Sequence, residues 1–230
     1  MRHLSIRRRR VASVLGAGAL LIGGVAAPAL LAAGPASAAT CVAGAPCTVT
    51  GTATLGTGTL TLTAPDTLTW AGTLTGLTQD LVDTVSADET YNVDDATGTA
   101  TGWNVSVAAS NFATTGTTPV ALPSTGTFFT TGSVTSATAT TAPTATCTSG
   151  PTTCILPTDA VTYPVDFVTG GTTPAASVVY SAATGTGAGS IDIGGTAVGD
   201  DPVGWWLAVR PDAAPGVYTS TITITLASGP

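Results

Sequence analysis

Between Asp201 and Pro230 apolar and polar positions alternate with period two in two runs. In the first, Val203, Trp205, Leu207 and Val209 fall on one side, and Gly204, Trp206, Ala208 and Arg210 fall on the other. In the second, Tyr218, Ile222, Ile224 and Leu226 face one way, and Thr219, Thr221, Thr223 and Thr225 face the other. Side chains of a strand switch sides at every residue, so both runs predict half-buried strands with Trp205 and Leu207 on a shared inner face. The turn Pro211 to Gly216, bearing Pro and Gly, joins them. A shorter echo lies between Ala100 and Phe112, where Trp103, Val105 and Val107 alternate with Asn104, Ser106 and Ala108.

Similar ladders recur upstream. Thr48, Thr50, Thr52 and Thr54 alternate with Val49, Ala53 and Leu55; Thr59, Thr61 and Thr63 alternate with Leu60 and Leu62; Leu68 and Trp70 alternate with Thr67 and Thr69. With turns at Pro65-Asp66 and Ala71-Gly72 these predict a three-stranded meander. Leu81 to Val85, Tyr91 to Val93, Val161 to Val168, Ser177 to Ala182 and Ser190 to Ile193 add candidate strands. Thr114 to Pro157 is rich in Thr, Ser, Gly and Pro, with Phe128-Phe129 as its main apolar mark, and reads as edge strands and long loops of the same domain. No long segment shows the helical period. Thr and Gly abound while Lys, Glu and Gln are nearly absent, so the expected fold is an all-β, antiparallel β-sandwich forming a single domain over residues 39–230.

Residues Met1 to Ala38 read as a signal peptide. Arg2 and Arg7 to Arg10 form a charged front, an apolar run follows from Val11 to Leu31, Gly34-Pro35 breaks any helix, and Ala36-Ser37-Ala38 offers small residues for cleavage. The apolar run is long enough for a retained membrane anchor, but the helix breakers and cleavage site favour removal. The arginines resemble a twin-arginine signal; the general secretory route fits better, because the rest of the chain binds no obvious cofactor that requires cytoplasmic folding. Cys41 lacks the upstream Leu of a lipoprotein signal. Removal of the signal changes the charge picture. Five of six basic residues and the single His, His3, lie in it, so the remainder keeps all 13 acids and only Arg210, a formal charge of −12 (1 − 13). Such a surface repels nucleic acid and anionic membranes.

Both tryptophan motifs start Gly-Trp, as Gly102-Trp103 and Gly204-Trp205, and place Val105 or Leu207 two positions on. Together with the approach Tyr91 to Trp103 and the closing Pro215-Gly216-Val217-Tyr218 strand, they resemble the paired signature motifs of the WxL domain, a surface module of Gram-positive bacteria; the first motif departs from the pattern as Trp103-Asn104-Val105. The resemblance implies a secreted protein of the cell wall or cell surface, attached non-covalently to peptidoglycan or another wall glycan, alone or alongside other surface proteins. The rival expectation is an adhesin-like or structural subunit that binds protein partners.

Four cysteines form two close pairs, Cys41 with Cys47 and Cys147 with Cys154. Export and an even count predict disulfides; three connectivities exist, and local pairing is the expectation. Zinc fits poorly, since the spacings are not Cys-x-x-Cys and no His is present beyond the signal. Without His or Lys there, and with Glu89 as the only Glu, a histidine-dependent triad and a lysine nucleophile are excluded, and no catalytic residue is expected. Asp88-Glu89, Asp94-Asp95 and Asp200-Asp201 read as solvated acidic turns, with calcium as the alternative and no metal site assigned. Trp103 and Trp205 are expected in the core. Trp206 points with Arg210 to the opposite face, which makes those two the candidate surface contact, with burial of Trp206 in a second layer as the alternative.

Three further patterns are set aside. Leu122-Pro123-Ser124-Thr125-Gly126 matches the sortase pattern but is followed by about a hundred residues without an apolar segment and basic tail. Asn104-Val105-Ser106 fits a glycosylation site but falls on a strand. The threonine ladders are too short and broken for an ice-binding solenoid.

Overall fold

The computed structural model describes residues 51–118, 120–122, 128–150, 153–167 and 175–230. The expected signal peptide, Cys41 and Cys47 lie outside the described residues, as do residues 123–126 of the sortase-like match. The chain divides into two compact units, Met1–Ala53 and Thr54–Pro230, and the fold is that of the second. Its described residues form thirteen strands: β1 Leu60–Thr63, β2 Gln79–Val82, β3 Thr90–Asp95, β4 Trp103–Ala109, β5 Ala113–Thr114, β6 Phe128–Thr131, β7 Ala145–Cys147, β8 Val165–Asp166, β9 Ser177–Ala182, β10 Gly189–Gly194, β11 Gly204–Val209, β12 Tyr218–Thr219 and β13 Ile222–Ser228. One 3-10 turn, Ser86–Glu89, is the only helical element among the described residues.

All strand pairings are antiparallel. Two sheets have four strands, in the orders β1-β3-β10-β7 and β2-β11-β6-β8; a third runs β13-β4-β9, and β12 pairs with β5. The expected all-β, sandwich-like architecture is therefore present. Its core follows from register. In the first sheet Val93 sits between Leu62 and Ile191, and in the third Val105 sits between Leu226 and Tyr180. The odd positions of β4, from Trp103 to Ala109, are all buried. Inward rows from different sheets thus meet in one apolar cluster. Each fully buried aliphatic side chain contributes on the order of 1.5–3 kcal/mol.

Four expectations are corrected. Residues 51–55 carry no strand, and Leu68 and Trp70 lie in an extended segment outside any sheet. No meander forms, because β1 pairs with β3 while β2 pairs with β11. The two C-terminal runs are not a hairpin: β11 lies between β2 and β6, and β13 pairs with β4, so residues 210–217 carry the chain between sheets. Finally, β6 is an interior strand rather than an edge. Phe128 fills the core, stacked 6.3 Å from Trp205, while Phe129 stacks 6.4 Å from Trp206 on the opposite face. A strand covered on both faces carries consecutive large apolar residues, and the alternation rule misses it.

Candidate binding cleft

The two Gly-Trp motifs occupy equivalent places: β4 and β11 are each an interior strand, and each indole is sealed in the core. Trp103 is 0 % and Trp205 1 % exposed. An indole N–H buried without an acceptor is costly, and both find main-chain carbonyls: Trp103 Nε1 donates to Gly187 O at 2.8 Å, and Trp205 Nε1 to Asp88 O at 2.8 Å. Val105 and Leu207 pack beside them as expected. The preceding glycines serve close approach. A Cβ on Gly102, whose φ is +77°, would meet the carbonyl of Ala182, and one on Gly204 would meet the carbonyl of Ser133.

Trp206 is not a surface contact. It is buried, parallel to Phe129 with an interplanar angle of 9°, and its Nε1 donates to Ser133 O at 2.9 Å. The chain at Ser133 lies over both Gly204 and Trp206, which covers the face that alternation alone leaves open. Arg210 is exposed, and Nε meets Asp212 Oδ1 at 3.0 Å. The structure thus separates the expected pair, leaving Arg210 outside and Trp206 within.

The acidic positions take several roles. Asp94 and Asp95 lie at the end of β3 rather than in a turn; Asp95 is buried and accepts from Thr97 N and Oγ1 at 3.0 and 2.6 Å. Asp83, also buried, accepts from Thr69 N at 2.6 Å and Val85 N at 2.8 Å. Burial, then the nearby Asp83 and Asp66, push the Asp88 carboxyl above its ordinary range; burial, then Asp83, do the same to Glu89. Among the described residues no three His, Cys, Asp or Glu side chains converge to hold a metal ion. Cys147 and Cys154 are joined, with Cα atoms 5.5 Å apart, the local pairing expected of them.

The large concavity of the domain lies elsewhere, on ground the sequence leaves unmarked. It is a cleft of about 1190 Å³. Phe112, Leu122, Leu207 and Val209 are its buried floor. Leu62, Leu68, Trp70 and Leu81 line one side, and Tyr218, Ile222 and Ile224 line the other, all half-buried. Leu74 and Val217 reach the surface at 41 % and 78 % exposure. Trp70 holds the first wall in place. Its ring meets Phe112 and Phe128 edge-on at 5.5 and 5.0 Å, and its Nε1 donates to Trp205 O at 3.0 Å. The segment that carries Trp70 is thus fixed by an indole and by Asp83 instead of by a strand ladder. Apolar walls with a few polar groups, here Asp66, Gln79, Thr219 and Ser220, are the usual make-up of a binding site, and the volume lies somewhat above the common range.

Comparisons of the chain with protein-family models, with curated proteins and with solved structures gave no match.

Proposed function

We propose that this is an exported, non-enzymatic protein of the cell wall or cell surface that attaches non-covalently to wall glycan, with peptidoglycan as the first candidate, in the manner implied by its resemblance to WxL domains. The supporting observation is the outer face of β13 and the residue before it. Thr221, Thr223 and Thr225 are all exposed there, without a charge among them. A row of hydroxyls at strand spacing offers donors and acceptors to a neutral sugar chain at little desolvation cost. The acidic balance of the chain opposes attraction to anionic wall polymers, so contact proceeds through hydrogen bonds, or through calcium bridges between carboxylates of wall and protein.

Retention of the full mature chain on purified peptidoglycan, with and without calcium, tests this reading. Moderate salt should leave retention unchanged or strengthen it, since it screens repulsion. Thr223→Glu combined with Thr225→Glu should cut retention about tenfold or more while the melting temperature stays within a few degrees, because both side chains are exposed. Full retention by the double variant, or release of the native chain by moderate salt, overturns the assignment.

A second reading, a surface subunit that binds protein partners, is favoured by one specific observation: the apolar cleft is bordered by β13, an edge strand that pairs on one side only among the described residues.

A further inference from the structure

The strand β13 is the last of its sheet and pairs on one side only, with β4. Register shows which of its main-chain groups are used. Ser110 N donates to Thr221 O and Gly229 N to Gly102 O, so the odd positions of β13 direct N–H and C=O toward β4. The amides and carbonyls of Ile222, Ile224 and Leu226 therefore point away from the sheet, toward no strand partner among the described residues. Their side chains lie on the apolar face, and those of Ile222 and Ile224 line the cleft.

Protein edges of this kind are ordinarily blunted by Lys, Pro, a bulge or an inward charge. None interrupts β13, whose seven residues read Ile-Thr-Ile-Thr-Leu-Ala-Ser in unbroken register with β4. An uninterrupted, uncharged edge beside an apolar cleft is the arrangement by which a protein takes up an extended segment: main-chain bonds supply affinity, and pockets for alternate side chains supply selectivity. The charges indicate what kind of segment fits. Asp66 lines the cleft, exposed, and accepts a hydrogen bond from Oγ1 of its neighbour Thr67 at 3.3 Å. Arg210, the single cation of the described residues, is already held by Asp212.

We propose that β13 and the cleft form an acceptor groove for an extended segment of another protein, one with apolar residues at alternate positions and a Lys or Arg that meets Asp66. This inference rests on the protein-partner reading given above. A second copy of the chain fits less well, since among the described residues it brings the same excess of acid and a single cation, Arg210, already paired with Asp212.

The test uses the full mature chain, isotopically labelled, and a soluble peptide, Lys-Val-Thr-Val-Thr-Val-Thr-Val. Its controls are the same composition in scrambled order and a version with Glu in place of Lys. The alternating basic peptide should shift the amide resonances of Ile222, Ile224 and Leu226 saturably, and the scrambled and acidic peptides should bind at least tenfold more weakly. Ile224→Pro removes an outward N–H and no bond to β4, and should weaken binding at least tenfold; Asp66→Asn should bring the Lys peptide down to the level of a neutral one. If Ile224→Pro does not fold, Asp66→Asn alone decides. Unmoved β13 amides, equal binding of the scrambled peptide, or concentration-dependent self-association through the same amides overturns the proposal. Peptidoglycan retention is measured on the same variants: retention that survives Ile224→Pro separates failure of the groove from failure of the wall assignment. Capture of protein partners that is insensitive to both substitutions would sink the groove while leaving the partner reading standing.

Discussion

Trp103 and Trp205 each do two jobs at once, filling a core and closing a hydrogen bond to a carbonyl far away in sequence. The two contributions can be separated by substitution. Trp103→Ala or Trp205→Ala should each cost about 3–5 kcal/mol in urea unfolding, from lost burial and the cavity left behind. Trp205→Phe keeps much of the ring but strands Asp88 O, and should cost about 1–3 kcal/mol. An alanine variant within 1 kcal/mol of the native chain would remove the indoles from the role given them here. Gly187 makes the Trp103 site possible: at φ +75° it carries the acceptor carbonyl, and a Cβ there would lie 2.6 Å from Trp103 Nε1. Trp103 and Trp205 were legible as interior residues from their alternation with Val105 and Leu207. For Trp206 the sequence left two settings open, a surface contact or burial in a second layer, because the chain that covers it, at Ser133, is 73 positions away.

Among the elements, the strands read correctly are those with one wet face. For β4, β10 and β13, period-two patterning and position agree, since one face meets the core and the other meets solvent or polar neighbours. β11, whose inner face was legible from its alternation, and β6 are interior strands packed on both faces, and alternation gives no sign of the second covered face in Gly-Trp-Trp-Leu-Ala-Val or Phe-Phe-Thr-Thr. The Trp70 segment shows the reverse error. Its alternation is real, but a long-range bond to Trp205 O and an Asp83 bond to Thr69 N substitute for a ladder. Between β7 and the bridge of Ile155 with Ala188, the Cys147–Cys154 link closes a short loop. Its reduction should lower stability by about 2 kcal/mol on the chain-entropy model, readable as a fall in urea midpoint with little change in slope. A midpoint unchanged by selective reduction would mean that the surrounding strands already hold the loop.

At the scale of the molecule, the carboxylates set the response to pH. Asp88, Glu89 and Asp166 have folded-state values raised above the ordinary ones, by burial first and then, for Asp88 and Glu89, by neighbouring acids. The folded state therefore holds protons that the unfolded chain releases, and its stability falls as pH rises from the ordinary carboxylate range, about pH 4, through the raised values. Melting temperature should be higher on the acid side of that window, and Asp88→Asn should flatten the slope. A melting temperature that climbs steadily from pH 4 to pH 7 would show that other groups dominate. By itself the sequence determined the all-β class, the inward setting of the two motif indoles and the local Cys147–Cys154 pairing, because period-two burial and short spacing are properties of neighbours along the chain. Tertiary structure alone decided that β11 is covered on both faces, that the C-terminal runs enter different sheets, and that Leu62, Trp70 and Ile224 meet around an open cleft. Those outcomes depend on which distant segment comes to rest against which face, and local periodicity holds no record of that.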